Sequence, residues 1–328
     1  LDGSAALSAG DIELHNEDGS LDPWLSEVWT NCSIQVFVGD VTWPRGDFKL
    51  VFDGVISDID SSSASLLNIV LRDKLQRLNA PVSEEMLGGS TPNAGRLRPV
   101  LLGECHNIEP LLTDPANHEY QCHSGTIERI IEVRSEGVPR AITTAGVPAG
   151  SFRLTASPEG TITASVQGAT PYKNTVAGIV QTLVTAYGTP TERFTSEDLD
   201  AAQLAEFDTA HPQPVGLYVN DRGNVLQLCQ ELAASVGAQV AISREGELRL
   251  LKIALPPAGI PTTITSSDYE AQSLNIDSRT SVIAGVRLGY CKNWTVQSTI
   301  DSGIPAEHRD MFAQEYLIVS SRDATVAS

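Results

Sequence analysis

The chain has 328 residues, 41% of them hydrophobic, and a formal net charge of -19 at pH 7. This length predicts two or three domains with ordinary buried cores, and the chain contains no run of about 18 apolar residues, the length of a transmembrane helix. The excess of Asp and Glu argues against a protein that grips nucleic acid through its phosphates, because such binding needs clustered Lys and Arg. Two interpretations of the charge stay open: ordinary solubility, or an acidic wall past which nucleic acid slides without sticking.

Residues 10–22 predict a short strand followed by a tight turn. Ile12 and Leu14 alternate with polar residues, and Asp18-Gly19 is a common turn pair. Oxygen-bearing side chains also recur at alternate positions, as in calcium loops: Asn16, Asp18, Ser20 and Asp22. The bidentate carboxylate that closes such a loop is missing, since Pro23-Trp24-Leu25 follows. A plain turn is therefore predicted.

The stretch 48–78 predicts a β-hairpin that leads into a short helical segment. Hydrophobic residues alternate with other residues before and after the serine-rich segment 61–65, which indicates two strands joined by a turn. Gly54 predicts a bulge or a close backbone approach in the first of them. With the strands predicted at 10–15 and 33–40, this clustering is typical of a small barrel or sandwich.

Further hairpins are predicted within 126–168. One turns at Glu136-Gly137, and another joins the alternating runs 152–154 and 162–166 across Pro158-Glu159-Gly160. Helical spacing of apolar residues follows at 176–187, and Gly188 ends that helix.

A second, acidic helix is predicted after a cap at Thr195 or Ser196, and a third between a cap at Asn224 and Gly237. The next segment predicts a hairpin in which Val240 and Ile242 face Leu248 and Leu250. Later strands are predicted at 282–288, 294–298 and 315–320. Strands cluster instead of alternating singly with helices, so the sequence predicts an α+β, mainly β fold.

The cysteines show no metal-binding motif. They stand at positions 32, 105, 122, 229 and 291, an odd number at wide spacings without CxxC. Cys105-His106 and Cys122-His123 form two similar dipeptides, and with Cys291 they leave metal or iron–sulfur ligation chemically open. The alternative is a set of reduced, partly buried cysteines, as in intracellular proteins.

Catalytic motifs are also missing: GxSxG, HExxH, GxGxxG and the Walker loop do not occur. His118 and His123 flank Cys122, but nothing in the sequence orients a Cys/His nucleophile pair. The acidic pairs Glu84-Glu85 and Glu197-Asp198 predict surface charge rather than an acid/base dyad.

Trp24, Trp29 and Trp43 predict core or interface anchors, with a sugar-binding platform as the alternative. The sequence therefore predicts a protein that is not an enzyme, with no catalytic, cofactor-binding or metal-ligating residues and no cofactor.

Several segments are weak motifs alone but occur in a specific order: 10–25, a strand ending at Gly39-Asp40, 48–59, 67–82 with Arg72-Asp73-Lys74, 98–112 with Pro99 to Gly103, and 224–251. In this order they resemble the tail hub proteins of long-tailed bacteriophages. The resemblance covers most of residues 10–290 in patches.

That resemblance implies two tube-like β-barrel domains, at 1–105 and 215–328, separated by a hairpin and helical insertion at 106–214 that sits peripherally or contacts baseplate proteins. It implies a structural homotrimer in the virion tail of a non-contractile phage. The trimer's six barrels form a pseudo-sixfold ring that adapts the hexameric tail tube to the trimeric tip and lines the DNA channel. The implied partners are tail tube, distal tail, and tip or central fibre proteins, while DNA passes without specific binding.

Some relatives hold an iron–sulfur cluster on grouped cysteines, and the scattered cysteines of this chain depart from that pattern. In a ring, lumen-facing Asp and Glu are expected to outnumber Lys and Arg, and the serine-rich turn 61–65 is expected to touch a neighbouring subunit. Two alternatives stay open: a hub of a contractile tail or gene transfer particle, and a tail-tip enzyme or carbohydrate-binding module. The latter would use Trp24 and Trp43 or the Cys122/His123 area.

Overall fold

The computed structural model describes residues 10–63, 65–252, 263, 265–269 and 284–322. Strand makes up 37% of the structure and helix 19%, in several antiparallel sheets that include a curled half-barrel. The predicted α+β, mainly β fold class is confirmed.

Seventeen strands and four α-helices follow one another along the described residues. The strands are β1 (Asp11–His15), β2 (Ser33–Val38), β3 (Lys49–Ser63), β4 (Leu66–Arg72), β5 (Val100–Ile108), β6 (Leu111–Asp114), β7 (Glu119–Gln121), β8 (Ile127–Ser135), β9 (Val138–Pro139), β10 (Ile142–Thr143), β11 (Ser151–Leu154), β12 (Ile162–Ala169), β13 (Gly216–Val219), β14 (Ala238–Ile242), β15 (Leu248–Lys252), β16 (Gly285–Tyr290) and β17 (Leu317–Arg322). The α-helices are α1 (Val176–Ala186), α2 (Ala201–Ala210), α3 (Val225–Ser235) and α4 (Ala306–Phe312). Short 3₁₀ helices span Asp22–Ser26, Arg45–Asp47, Lys74–Leu78 and Ser196–Asp198.

The first four strands form one antiparallel sheet in the order β1-β4-β3-β2, called the N-terminal sheet below. The predicted hairpin is β3–β4, and the 3₁₀ helix Lys74–Leu78 follows it as expected. A Cβ on Gly54 would lie 2.5 Å from the carbonyl oxygen of Arg72, so this glycine allows a close backbone approach. Residue 64 of the serine-rich turn lies outside the described residues.

Two further sheets form the middle of the molecule, in the orders β13-β5-β12-β8-β9 and β10-β11-β7-β6. The turn at Glu136-Gly137 is confirmed, with both residues at positive φ and Ser135 paired with Val138. The predicted hairpin between 152–154 and 162–166 is wrong. β11 pairs with β7 and β10, and β12 pairs with β5 and β8, because alternation identifies a strand but not its partner.

The five-stranded sheet draws strands from all three predicted domains, since β5 begins in 1–105, β8 and β12 lie in 106–214, and β13 lies in 215–328. The helical part of 106–214 packs against elements of the predicted third domain. Buried residues of α1 and α2 share the largest core with α3, β14 and β15. The division into three domains stays a prediction.

The first and third predicted helices are confirmed as α1 and α3. Thr175 caps α1 by accepting from the amide of Gly178, and Asn224 caps α3 by accepting from the amide of Gln227.

The second predicted helix is two elements, a 3₁₀ turn and α2. Leu199 lies between them in extended conformation and bridges to Leu248, which interrupts the helix, and Asp200 caps α2 afresh.

The last strands only partly match the prediction. The hairpin β14–β15 has the expected members, with Val240 opposite Leu250 and Ile242 opposite Leu248. β16 and β17 pair with each other, and the predicted strand at 282–288 begins outside the described residues. The described chain forms no strand at 294–298. Just before this segment, Asn293 Nδ2 donates to the carbonyl oxygens of Phe312 and Gln314.

Candidate functional site

A cleft of about 390 Å³ lies between the five-stranded sheet and the segment 291–317. One wall comes from β5, β8 and β12 through His106, Glu132, Arg134 and Ser165. The opposite wall mixes apolar and polar groups: Cys291, Lys292, Asn293, His308, Met311, Phe312, Gln314, Tyr316 and Leu317. This size falls in the usual range for small-molecule sites.

The two walls are joined by backbone pairing and by one arginine. The amide of Trp294 donates to the carbonyl oxygen of His106 over 3.2 Å. The Arg134 guanidinium lies 5.1 Å from the centre of the Phe312 ring, and it is held by Glu132 at 2.9 Å and by the carbonyl oxygen of Gly137 at 3.1 Å. Through these contacts the Arg134 side chain holds α4 against the sheet.

Two further polar side chains of the cleft also have partners. His106 Nε2 lies 3.1 Å from Glu104. Lys292 Nζ lies 4.1 Å from the centre of the Trp294 ring and 3.7 Å from Glu315. Sequence reasoning missed Arg134, Lys292 and His308 as members of one cleft, because they come from distant parts of the chain and no local pattern joins them.

The Cys122/His123 pair does not form a nucleophile and base. Both residues are buried, and burial raises the pKa of the Cys122 thiol and lowers the pKa of His123 to about 4. The thiol is therefore protonated at neutral pH, and a thiolate is the reactive form. His123 Nδ1 accepts a hydrogen bond from the amide of Leu101 over 3.0 Å, so that nitrogen holds β5.

The metal hypothesis gains no support within the described residues, where no three His, Cys, Asp or Glu side chains are placed to hold an ion. Cys105 and Cys122 lie in the same apolar core, and burial raises the pKa of the Cys105 thiol. Two other candidate ligands, His106 and Cys291, line the cleft instead.

The calcium-like loop is a turn held by its own side chains, as predicted. Asn16 Nδ2 donates to Asp22 Oδ1 over 2.7 Å, and Asn16 Oδ1 accepts from the amide of Leu21 over 2.9 Å. Two of the four oxygen-bearing side chains therefore bond to each other.

Two of the three tryptophans pack against each other, and the third is exposed. The Trp24 and Trp29 rings lie 5.2 Å apart, tilted, and both are partly buried against the core of the N-terminal sheet. Trp29 Nε1 also donates to the carbonyl oxygen of Trp24. Trp43 lies exposed in the loop between β2 and β3.

The prediction of surface charge is confirmed for Glu84, Glu85 and Glu197 and is wrong for Asp198. Glu84 and Glu85 are exposed, and Glu85 pairs with Arg98 at 3.3 Å. Asp198 is buried, 7% exposed, and accepts from Lys74 at 2.8 Å. The charge of Asp198 predicted an exposed side chain. Pairing with Lys74, which is distant in sequence, allows this carboxylate to be buried.

Comparisons with protein-family models, curated proteins and solved structures found no match for this chain. Among the residues that the structure describes, no helix has both the length and the apolar character needed to cross a membrane. The cleft combines apolar side chains with polar and charged ones, as small-molecule sites do.

Proposed function

We propose that the chain is a structural hub of a non-contractile, long-tailed bacteriophage, a homotrimer in the virion tail that is assembled in the cytoplasm of the bacterial host. The order of segments between 10 and 251 supports the phage assignment. One structural observation carries the assembly part: an apolar sheet face that the described chain leaves uncovered.

That surface is on the hairpin β16–β17, where directly opposite residues share a face. The pairs Val286–Ser321, Leu288–Val319 and Tyr290–Leu317 share one side of the hairpin. Its four exposed apolar side chains are called the hairpin apolar face below: Val286, Leu288, Tyr290 and Val319. Leu317 lies at its end, partly buried beside the cleft. Leu288 is 50% exposed and Val319 52%. Neither outer edge of the hairpin pairs with another strand in the described part of the chain.

A two-stranded hairpin is marginally stable in water by itself, and a contiguous exposed apolar face is typical of a protein–protein interface. The hairpin apolar face therefore supports the proposal that other subunits cover it in an assembly. In the proposed trimer these are further copies of the chain, and the ring adapts the hexameric tail tube to the trimeric tip. Tail tube, distal tail, and tip or central fibre proteins are the proposed neighbours.

The outer face of the N-terminal sheet supports the channel-lining part of the proposal. Val70 of β4 pairs with Asp11 of β1 on one side and with Asp58 of β3 on the other. Asn68 of β4 pairs in the same way with Glu13 and Asp60. All four acidic residues are exposed. An acidic face repels DNA and lets it pass without specific binding.

The proposal is tested on the purified chain by native mass spectrometry and electron microscopy. We expect a particle of three 35.0 kDa chains that forms a threefold ring with a central hole of tube width. A monomer at every concentration that binds saccharides would contradict the hub and favour the carbohydrate-binding alternative. A ring with an electropositive lumen would contradict the DNA-channel part alone.

A further inference from the structure

The N-terminal sheet has a core of its own. Its buried residues come only from β3 and β4, and the partly buried residues packed on them come from the segment 12–36. The main core contains no residue before Leu75. The buried apolar cluster of the sheet is therefore distinct from that of the described chain after residue 73, called the body below. Polar contacts also join the sheet to the body.

Those contacts converge on Asp53 of β3. Its backbone amide donates to the carbonyl oxygen of Arg244 over 2.9 Å, and its Oδ2 accepts from Lys74 Nζ over 3.2 Å. The turn between β14 and β15 lies directly on this pair, because a Cβ on Gly246 would meet Lys74 Nζ at 2.7 Å and Asp53 at 3.0 Å.

On the body side of the contact, Lys74 has a shorter hydrogen bond than the one it makes to Asp53. Lys74 Nζ also donates to Asp198 Oδ1 over 2.8 Å, and Arg77 lies 3.7 Å from the same oxygen. Arg77 is itself held over the Phe194 ring. Burial raises the pKa of Asp198, but hydrogen bonds from Lys74 and Thr195 and the nearby cations outweigh it and hold the pKa below its usual value.

This arrangement is asymmetric. If the bond from Lys74 to Asp53 breaks, Lys74 and Arg77 still neutralise Asp198, so the body retains its ion pairs. The N-terminal sheet retains its own core but loses its side-chain tether. One backbone hydrogen bond, from the amide of Asp53 to Arg244, then remains across the contact and must break if the sheet turns. The covalent link at 72–74 keeps the two parts connected, a geometry typical of hinge motion.

We propose that Asp53, Lys74 and Asp198 form a latch that fixes the orientation of the N-terminal sheet, and that the sheet turns as a rigid body about residues 72–74 when the latch opens. The motion belongs to the chain itself and does not depend on the hub assignment. It would let the sheet adopt more than one angle relative to the body.

Two exposed thiols make the angle measurable in the otherwise unaltered chain. Cys32 lies in the N-terminal sheet region and Cys291 in the body, both exposed, while Cys105, Cys122 and Cys229 are buried. Spin labels on Cys32 and Cys291 report the distance between sheet and body by electron–electron resonance. We expect one narrow distance peak for the native chain.

Asp53→Asn removes the negative charge that faces Lys74 from the sheet and leaves the pair of Lys74 with Asp198 in place. We expect the narrow peak to be lost in Asp53→Asn and in Lys74→Met. Asp60→Asn makes the same chemical change at an exposed position of the same strand, and it should keep the native peak. Native distances in folded Asp53→Asn would overturn the proposal, even if Lys74→Met failed to fold.

Hydrogen exchange separates a hinge from local unfolding. In Asp53→Asn, the amide of residue 53 should lose protection, while amides inside β1 to β4 remain protected. Loss of protection across all four strands would show that the contact holds the sheet folded, and it would also overturn the proposal.

Discussion

His123 illustrates how a buried titratable side chain can be structural. It is 3% exposed and accepts a hydrogen bond at Nδ1 from the amide of Leu101 in β5. Protonation of Nδ1 would replace that bond with two facing donors. Burial disfavours the charged form and lowers the pKa of His123 from 6.5 to about 4.

The pH dependence of stability should follow from this histidine. Between pH 6.5 and 4 the unfolded chain binds more protons at this position than the folded chain. The stabilisation is therefore complete above the unfolded pKa and is lost as the pH falls through this window, by roughly 3 kcal/mol in total. Urea unfolding at a series of pH values measures the slope.

His123→Asn retains a hydrogen-bond acceptor and removes the titration, so its unfolding free energy should fall less steeply in this window. The exposed His308 provides the control, because His308→Asn should leave the native slope. An equal slope in native and His123→Asn protein would contradict the assignment.

At the scale of elements, the junction between β5 and β13 depends on Gly103. Its φ is +68°, and a Cβ there would lie 2.1 Å from the carbonyl oxygen of Val215. A side chain would therefore collide with the backbone just before β13, the strand that pairs with β5. The close approach of Gly103 and Gly216 lies at one end of the β5–β13 pairing, and these two strands contribute residues to both larger cores.

Gly103→Ala should be strongly destabilising. We expect a loss of about 2–5 kcal/mol in the free energy of unfolding, from the left-handed backbone and from the overlap together. Gly146→Ala is the matched control, because Gly146 has a φ of +69° and open space at its Cβ. Equal losses in the two variants would mean that the backbone conformation alone matters. Denaturant unfolding of both variants measures the difference.

At the scale of the whole molecule, the hairpin apolar face should be an interface. Leu288→Glu would bury a charge there, so we expect the trimer to dissociate while the circular dichroism of the monomer is unchanged. Ser320→Glu adds the same charge to the opposite face of the same hairpin and should leave the trimer intact. Sedimentation velocity on both variants decides, and intact trimers in Leu288→Glu would exclude this face from the interface.

The sequence predicted those strands and helix ends that depend on residues close together in the chain. Alternation identified β3, β4, β14 and β15, helical spacing of apolar residues identified α1, and a predicted cap at Asn224 identified the start of α3, because these signals depend on neighbouring residues only. The mainly β class followed from how the strands cluster. The second helix failed because Leu199 forms a bridge to Leu248, a contact that no local pattern contains.

The sequence by itself determined the kinds of elements, the fold class and the lack of a catalytic motif. Only the tertiary structure decided that the runs at 152–154 and 162–166 belong to different sheets, that Asp198 is buried, and that Arg134 and His308 share a cleft. The physical reason is that strand pairing, burial of charge and cleft formation depend on which distant segments meet. That choice is made by the packing of the whole chain rather than by any single stretch of it.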